Sequence, residues 1–389
     1  MQSQPILFTM FLIFTGAAAL ATIALYARQA LIVVYIVLGI LFGPSALGLV
    51  ADPVLVRQVS HIGIMFLLFL LGINLPPQKL ARLVRETTLV TGASSLVFAL
   101  IGAAAGWALG LKPVECMLIG AALMFSSTII GLKLLPTTVL HHQRTGELII
   151  SVLLLQDLAA IVILLLLQTQ QQSALSLSRM GLLALSLPGI ILLAYLSERY
   201  VLVRLIGRFD RIREYIFLMA IGWCLGIAQL ANFLGLSYEI GAFIAGVALA
   251  TSPISLFIAE SLKPLRDFFL ILFFFSLGAS FKLDTLLHVL PSASILALLM
   301  LVLKPWVFSR LLRRAGEDAQ RASEIGLRLG QISEFSLLIA ALALERGVIR
   351  PRAAYLIELS TLLTFIASTY LVVRRYPTPI ALTDDLRRD

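Results

Sequence analysis

The stretch ELIISVLLLQDLAAIVILLLL, Glu147–Leu167, decides how the rest of the chain is read. It is long enough to cross the hydrocarbon core of a bilayer, which takes about 20 apolar residues in a helix. One acid, Asp157, sits in the middle of it, ten residues from either end. A charge at that depth costs roughly 2.5–3.5 kcal/mol on insertion scales, so it marks a site of function rather than a solvated face. Desolvation favours the protonated acid and a bound cation favours the carboxylate. One group that holds either a proton or a cation, but not both comfortably, is sufficient for exchange. Gln156 stands beside it with an amide oxygen able to complete a cation shell without adding charge.

The surrounding composition makes this a membrane problem throughout. Hydrophobic residues are 60% of 389 and charged residues 13%, with a mean hydropathy of +0.99. Soluble domains have roughly 45–50% and 25%. The reading is an all-α polytopic protein of about thirteen spans: 6–26, 30–49, 55–74, 84–110, 114–136, 146–168, 179–203, 213–233, 237–251, 264–281, 286–309, 323–344 and 353–373. Helices follow because backbone polar groups cannot stay unpaired in lipid. The first span lacks a basic leader and reads as retained, not as a cleaved signal. With the N-terminus outside, 22 Lys and Arg residues fall on inside loops and 7 on outside loops, which sets the C-terminus on the cytoplasmic side. Only the cluster Arg346, Arg350, Arg352 disagrees. The net charge of +9 is spread over these loops, so no nucleic-acid partner is expected. Cys116 and Cys224 lie in apolar runs, and the four histidines are scattered near span ends. Neither pattern supplies a metal site, a cofactor or a catalytic triad.

A shift of 206 residues superimposes the two halves. FLLFLLGINL, Phe66–Leu75, falls on LFFFSLGASF, Leu272–Phe281, and IGAALMFSSTII, Ile119–Ile130, falls on IGLRLGQISEFS, Ile325–Ser336. Repeat 1 covers about 6–168, a linker helix about 179–203 and repeat 2 about 213–373, with a short tail at 374–389. Matching spans are seven apart, an odd number, so the halves are inverted. Inverted repeats with a midplane site are the architecture of secondary transporters. The polar interruptions Ser126-Ser127-Thr128 and Gly330-Gln331-Ile332-Ser333-Glu334 lie at corresponding points of the two halves. Paired interruptions of this kind point to two discontinuous helices at a binding site. Lys304, before Pro305, either snorkels toward Arg310 or faces inward to pair with Asp157 or balance the broken-helix ends. Glycines 39, 43, 72, 241, 246 and 278 read as packing and bend positions.

The segments LGILFGPSALGL, HIGIMFLLFLLGINLPPQKL, FSSTII, LLLQDLAAI, GAFIAGVALATS and GQISEF, in that order, resemble the monovalent cation:proton antiporter-2 family, in its Kef-type potassium efflux branch. The resemblance implies a thirteen-helix inverted repeat with crossing broken helices, a homodimer and elevator-like movement in a bacterial inner membrane. It implies that Asp157 is the carrier acid and Gln156 its polar partner, that Ser127 and Thr128 are the crossing hydroxyls, that Lys304 is the family's lysine and that Gln331 and Glu334 lie on the second broken helix; the interruptions themselves add Ser126 to the cation and proton site and Ser333 to the residues that support it and balance charge. The Gln156-Asp157 pair tilts the substrate toward potassium over sodium, exchanged against protons. About 16 residues follow the last span, without a G-x-G-x-x-G motif, where Kef-type proteins continue into a nucleotide-binding domain. Regulation from a separate cytoplasmic subunit is therefore one expectation. A cation channel is the rival of another class; it would show filter loops or charged rings rather than one buried acid in a pseudo-symmetric chain.

Overall fold

A computed structural model describes residues 6–27, 29–50, 54–73, 77–135, 144–169, 177–209, 212–236, 238–252 and 254–378. Of the basic residues counted above Arg28, Arg211, Arg387 and Arg388 lie outside that set, as do two of the four histidines, His141 and His142, residues 74–76 of the quoted segments and the tail beyond Thr378.

The chain is helical from end to end of the described residues. In order it forms α1 (Ile6–Tyr26), α2 (Leu31–Phe42), α3 (Val54–Ile73), α4 (Pro77–Ala108), α5 (Pro113–Leu123), α6 (Thr128–Lys133), α7 (Arg144–Thr169), α8 (Leu177–Ser197), α9 (Val203–Arg208), α10 (Arg213–Phe233), α11 (Tyr238–Leu249), α12 (Ser255–Ala279), α13 (Leu283–Arg314), α14 (Ala319–Arg328), α15 (Glu334–Glu345) and α16 (Pro351–Arg375). A π-helical turn, Glu198–Leu202, joins α8 to α9. Every span read from the sequence falls on a helix or on a helix pair interrupted inside the span. The ends differ where helix and apolar run part company. α4 begins at Pro77, before the apolar residues start, because Lys79, Arg82 and Arg85 are good helix formers outside lipid. α2 stops at Phe42 because Gly43-Pro44 follows; the residue before a proline avoids the α region.

Among the described residues six helices are long and apolar enough to cross a membrane alone: α1, the part of α4 from Thr87, the part of α7 up to Leu164, α10, α13 and α16. α2, α5 and α11 are apolar but shorter. Two of the short ones have a local cause. α5 is half of an interrupted span, and α11 packs along α3 backbone to backbone.

The chain divides into two compact units, one made of 1–51, 83–167 and 277–389, the other of 52–82 and 168–276. In the second unit α11 packs on α3 and α10, and the Trp223 indole donates to the Ala245 carbonyl at 3.0 Å. The α3–α11 approach depends on two glycines facing each other. A Cβ on Gly72 would lie 2.6 Å from the Phe243 carbonyl oxygen, and one on Gly246 would collide with the Phe69 carbonyl oxygen. Overpacking of this kind costs typically 1–3 kcal/mol. Gly246→Ala should therefore lower the thermal midpoint of the purified protein. An unchanged midpoint would mean that the two helices are not held at this spacing.

In the first unit α16 is almost wholly buried, packed on α13, α15, α5 and α2. α14 lies along α13, with Gly326 and Gly330 against Pro305. The Glu115 carboxylate accepts from the Arg350 backbone N–H at 3.0 Å and from its guanidinium at 2.9 Å and 2.6 Å, fastening the start of α5 to the start of α16. Arg350 belongs to the one basic cluster that disagrees with the orientation rule, and its charge is taken up in this pair.

Candidate functional site: two broken helices and one buried acid

The first unit holds all nine candidate site residues, Ser126, Ser127, Thr128, Gln156, Asp157, Lys304, Gln331, Ser333 and Glu334. α5 ends at Leu123, and the chain runs without helical structure through Phe125, Ser126 and Ser127 before α6 starts. α14 ends at Arg328, and the chain runs non-helically up to Ser333 before α15 starts. Each restart is set by a serine. The Ser127 hydroxyl accepts from the Ile130 N–H at 3.1 Å, and the Ser333 hydroxyl accepts from the Phe335 N–H at 3.1 Å. Both are N-caps, which satisfy donors that a helix start otherwise leaves orphaned. The two serines are 206 residues apart, the shift that superimposes the halves.

The breaks are stitched to each other and to their neighbours. The Ser126 hydroxyl donates to the Leu329 carbonyl at 2.9 Å, and the Gln331 amide donates to the Ser127 carbonyl at 3.3 Å. The Ser336 hydroxyl donates to the Ala122 carbonyl. The Ser126 N–H donates to the Gln156 amide oxygen at 2.9 Å, and the Ile332 N–H donates to the Thr364 hydroxyl at 3.1 Å. Ser126 and Ile332 are again 206 apart, and their acceptors come from α7 and α16, the last helices of the two halves. The Ser368 hydroxyl fixes the Gln331 amide oxygen at 3.0 Å. In a medium without water each of these backbone groups needs a protein partner, and the pseudo-equivalent helix supplies it in each half.

Lys304 is fully buried, so the snorkelling reading fails. Its ammonium donates to the Phe125 carbonyl and, at 3.0 Å, to the Gln331 carbonyl. Those carbonyls too are 206 residues apart. One cation thus joins the negative ends left by two broken helices. It also stands 5.3 Å from the centre of the Phe98 ring. No hydrogen bond or ion pair links it to Asp157 among the described residues. Two of its three donors go to the crossing carbonyls.

Asp157 is 1% exposed on α7. The Thr128 hydroxyl lies 3.2 Å from its Oδ1 and 3.0 Å from its Oδ2. Thr128 is the first residue of α6, so the acid faces the positive end of a half-helix. Glu334 opens α15 in the same manner, with the Ser333 hydroxyl 3.5 Å from its Oε2, and is near enough to Asp157 for the two acids to repel. Acids therefore sit at helix starts and the lysine at helix ends. Among the described residues one hydroxyl is all that Asp157 receives from side chains, which leaves carboxylate lone pairs for a proton or a cation.

The nine residues do not share one task. Gln156 is committed to the first break, its amide nitrogen donating to the Met124 carbonyl at 3.1 Å. Ser126, Ser127, Ser333 and Gln331 hold backbone. Of the nine, Thr128 hydrogen-bonds Asp157. The sequence reading passed over Glu358, a buried acid on α16 whose Oε2 has no hydrogen-bond partner. It lies only a few residues inside the last span, so a centrality filter discards it, although its insertion cost is of the same kind.

Comparison with known proteins agrees with this architecture. The chain is 29% identical to K(+) efflux antiporter 4 of Arabidopsis thaliana over 366 residues, 92% of this chain and 61% of that protein. It is 31% identical to the glutathione-regulated potassium-efflux system protein KefC of Salmonella heidelberg over 370 residues, 92% of this chain and 58% of that protein. It thus spans about three-fifths of the length of these relatives. The fold is that of the sodium proton antiporter MjNhaP1 from Methanocaldococcus jannaschii, with a TM-score of 0.68 at 17% identity, covering 94% of this chain and 97% of that one. Residues 10–373 match the transmembrane domain of sodium/hydrogen exchangers, and it is to that family that this multi-pass membrane protein belongs.

Proposed function

We propose that the protein is a secondary transporter that exchanges a monovalent cation, potassium, for protons at Asp157, by elevator-type alternating access in an inverted repeat. The observation that carries the proposal is the division of charge at the crossing. Lys304 holds the two broken-helix carbonyls, while Asp157 is held by the Thr128 hydroxyl at the start of a half-helix, which leaves the acid able to alternate between a proton and a cation. The 206-residue equivalence of caps, stitched amides and bridged carbonyls supports two inverted halves that interchange their accessibility. The names of the potassium-efflux relatives support potassium. The resemblance favours a homodimer, and the Lys and Arg distribution favours a cytoplasmic C-terminus in an inner membrane.

Proteoliposomes preloaded with a pH gradient test the substrate. Potassium should dissipate the gradient at least several-fold faster than sodium at equal concentration. A response to sodium alone would move the assignment to sodium/proton exchange, the activity in the name of the solved relative, while retaining Asp157 as carrier. Potassium currents far above carrier turnover, without proton movement, would replace exchange by a channel.

A further inference from the structure

On its lipid-facing side α13 carries one continuous apolar stripe at helical spacing: Ile295, Leu298, Val302 and Trp306, each more than 60% exposed. From Ile295 to Trp306 the stripe rises about 16 Å at 1.5 Å per residue, half of the roughly 30 Å hydrocarbon thickness. It ends in a cavity of about 430 Å³ walled by α13, α14 and the end of α16, with Trp306, Arg310, Arg313, Ser323, Arg375 and Tyr376 among its lining residues. All of these belong to one compact unit. Three arginines thus meet in a pocket where no carboxylate of the described residues pairs with them. Arg313 makes one long bond, 3.4 Å, to the Ala319 carbonyl. The nearby acids are engaged elsewhere, Glu317 with Arg144 and Arg321, Asp318 as the cap of α14, and Glu324 with Arg328.

An apolar track one leaflet long, an indole at its foot and, beyond it, three guanidinium groups without a carboxylate partner among the described residues match a single kind of occupant. We propose that this is a site for an anionic phospholipid, its phosphate held by Arg310, Arg313 and Arg375 and an acyl chain lying on the α13 stripe. Guanidinium suits a phosphate through paired N–H donors. Trp306 and Tyr376 sit at the headgroup level that aromatic rings prefer. Basic pockets between spans on the positive side of a membrane are where such headgroups bind. The site also touches the transport machinery. Pro305 lines the cavity and packs on Gly330 of the second break, one residue from Lys304. Tyr376 lines it too and lies over buried Arg328, which donates to the Leu134 carbonyl just beyond α6 and to the Pro377 carbonyl, both at 2.9 Å. Occupancy therefore bears on both broken helices.

The test uses the full chain purified in a neutral detergent, titrated with phosphatidylglycerol, with phosphatidylcholine of the same acyl chains, and with inorganic phosphate. Phosphatidylglycerol should raise the thermal midpoint by several degrees and the other two by little. Arg310→Gln/Arg313→Gln/Arg375→Gln should abolish the rise, each arginine contributing roughly a five-fold loss of affinity. Arg375→Gln alone, in the last turn of α16, guards against a triple variant that fails to fold and should show the single five-fold loss. Arg204→Gln/Arg208→Gln/Arg213→Gln, elsewhere in the chain, should keep the full rise. The proposal fails if phosphatidylglycerol stabilises the Arg310/Arg313/Arg375 variants as well as the parent. It also fails if inorganic phosphate alone reproduces the effect, or if the distant triple variant loses it equally.

Discussion

Asp157→Asn abolishes cation-driven proton movement, with exchange in proteoliposomes falling at least about 100-fold while the protein still folds and purifies. The expected loss is large because the substitution removes the only property that exchange needs. An asparagine fills the same volume on α7 and keeps an oxygen for the Thr128 hydroxyl, so the crossing stays stitched. It neither binds a proton near neutral pH nor offers a cation a full negative charge. Every other ionisable group at the crossing is positioned for balance: Lys304 on two carbonyls and Glu334 at the start of α15. Thr128→Val is the milder companion. It removes the hydroxyl and leaves the charge, so it should weaken cation affinity while maximal exchange persists. The measurement is the rate of pH-gradient collapse against cation concentration for parent and variants. Normal exchange by Asp157→Asn would refute the assignment of the carrier, and Glu334 and Glu358 would become the acids to test, since both are buried in the same unit.

Much of this was legible before any coordinates, for a reason particular to membranes. In a chain this apolar a polar residue inside a span is expensive, so its presence is informative. Asp157, Ser126-Ser127-Thr128 and Gly330–Glu334 stand out on that ground alone, and the interruptions lie where the helices break. The 206-residue shift pairs Ser127 with Ser333, the two helix-capping hydroxyls, and Phe125 with Gln331, the two carbonyls that Lys304 holds. What the sequence could not give was direction. Nothing in LALLMLVLKPWVF says whether Lys304 points to lipid or inward, and Arg310 six residues on made the outward reading natural. The same blindness hid the second task of Gln156, whose amide is engaged with backbone at both ends. The Glu115–Arg350 pair joins residues 235 apart and leaves no local pattern at all. Glu358 was missed because depth along the chain is a poor measure of burial when α16 is enclosed on nearly every side.

Lys304→Met is the second variant with a large expected effect, and it separates architecture from transport. The methionine matches the stem of the lysine, so packing against Phe98 survives, and the substitution removes the cost of burying an ammonium. Against that it leaves the Phe125 and Gln331 carbonyls without their donor. A buried acceptor deprived of its partner costs about 1–3 kcal/mol, and two of them outweigh what is regained when one buried charge is removed. The two carbonyls also carry the negative ends of helices that approach each other here, so their repulsion adds to the loss. The purified variant should lose several degrees of thermal midpoint and most of its exchange. Lys304→Gln should fall between it and the parent, because a neutral amide still offers two N–H donors but is shorter by an atom. The order parent, glutamine, methionine in both stability and exchange is what a bridge between helix ends requires. A stable Lys304→Met that has lost only exchange would instead make the ammonium a partner in the proton cycle of Asp157, with the two breaks held by the remaining stitches from Ser126, Gln156, Gln331, Ser336 and Thr364.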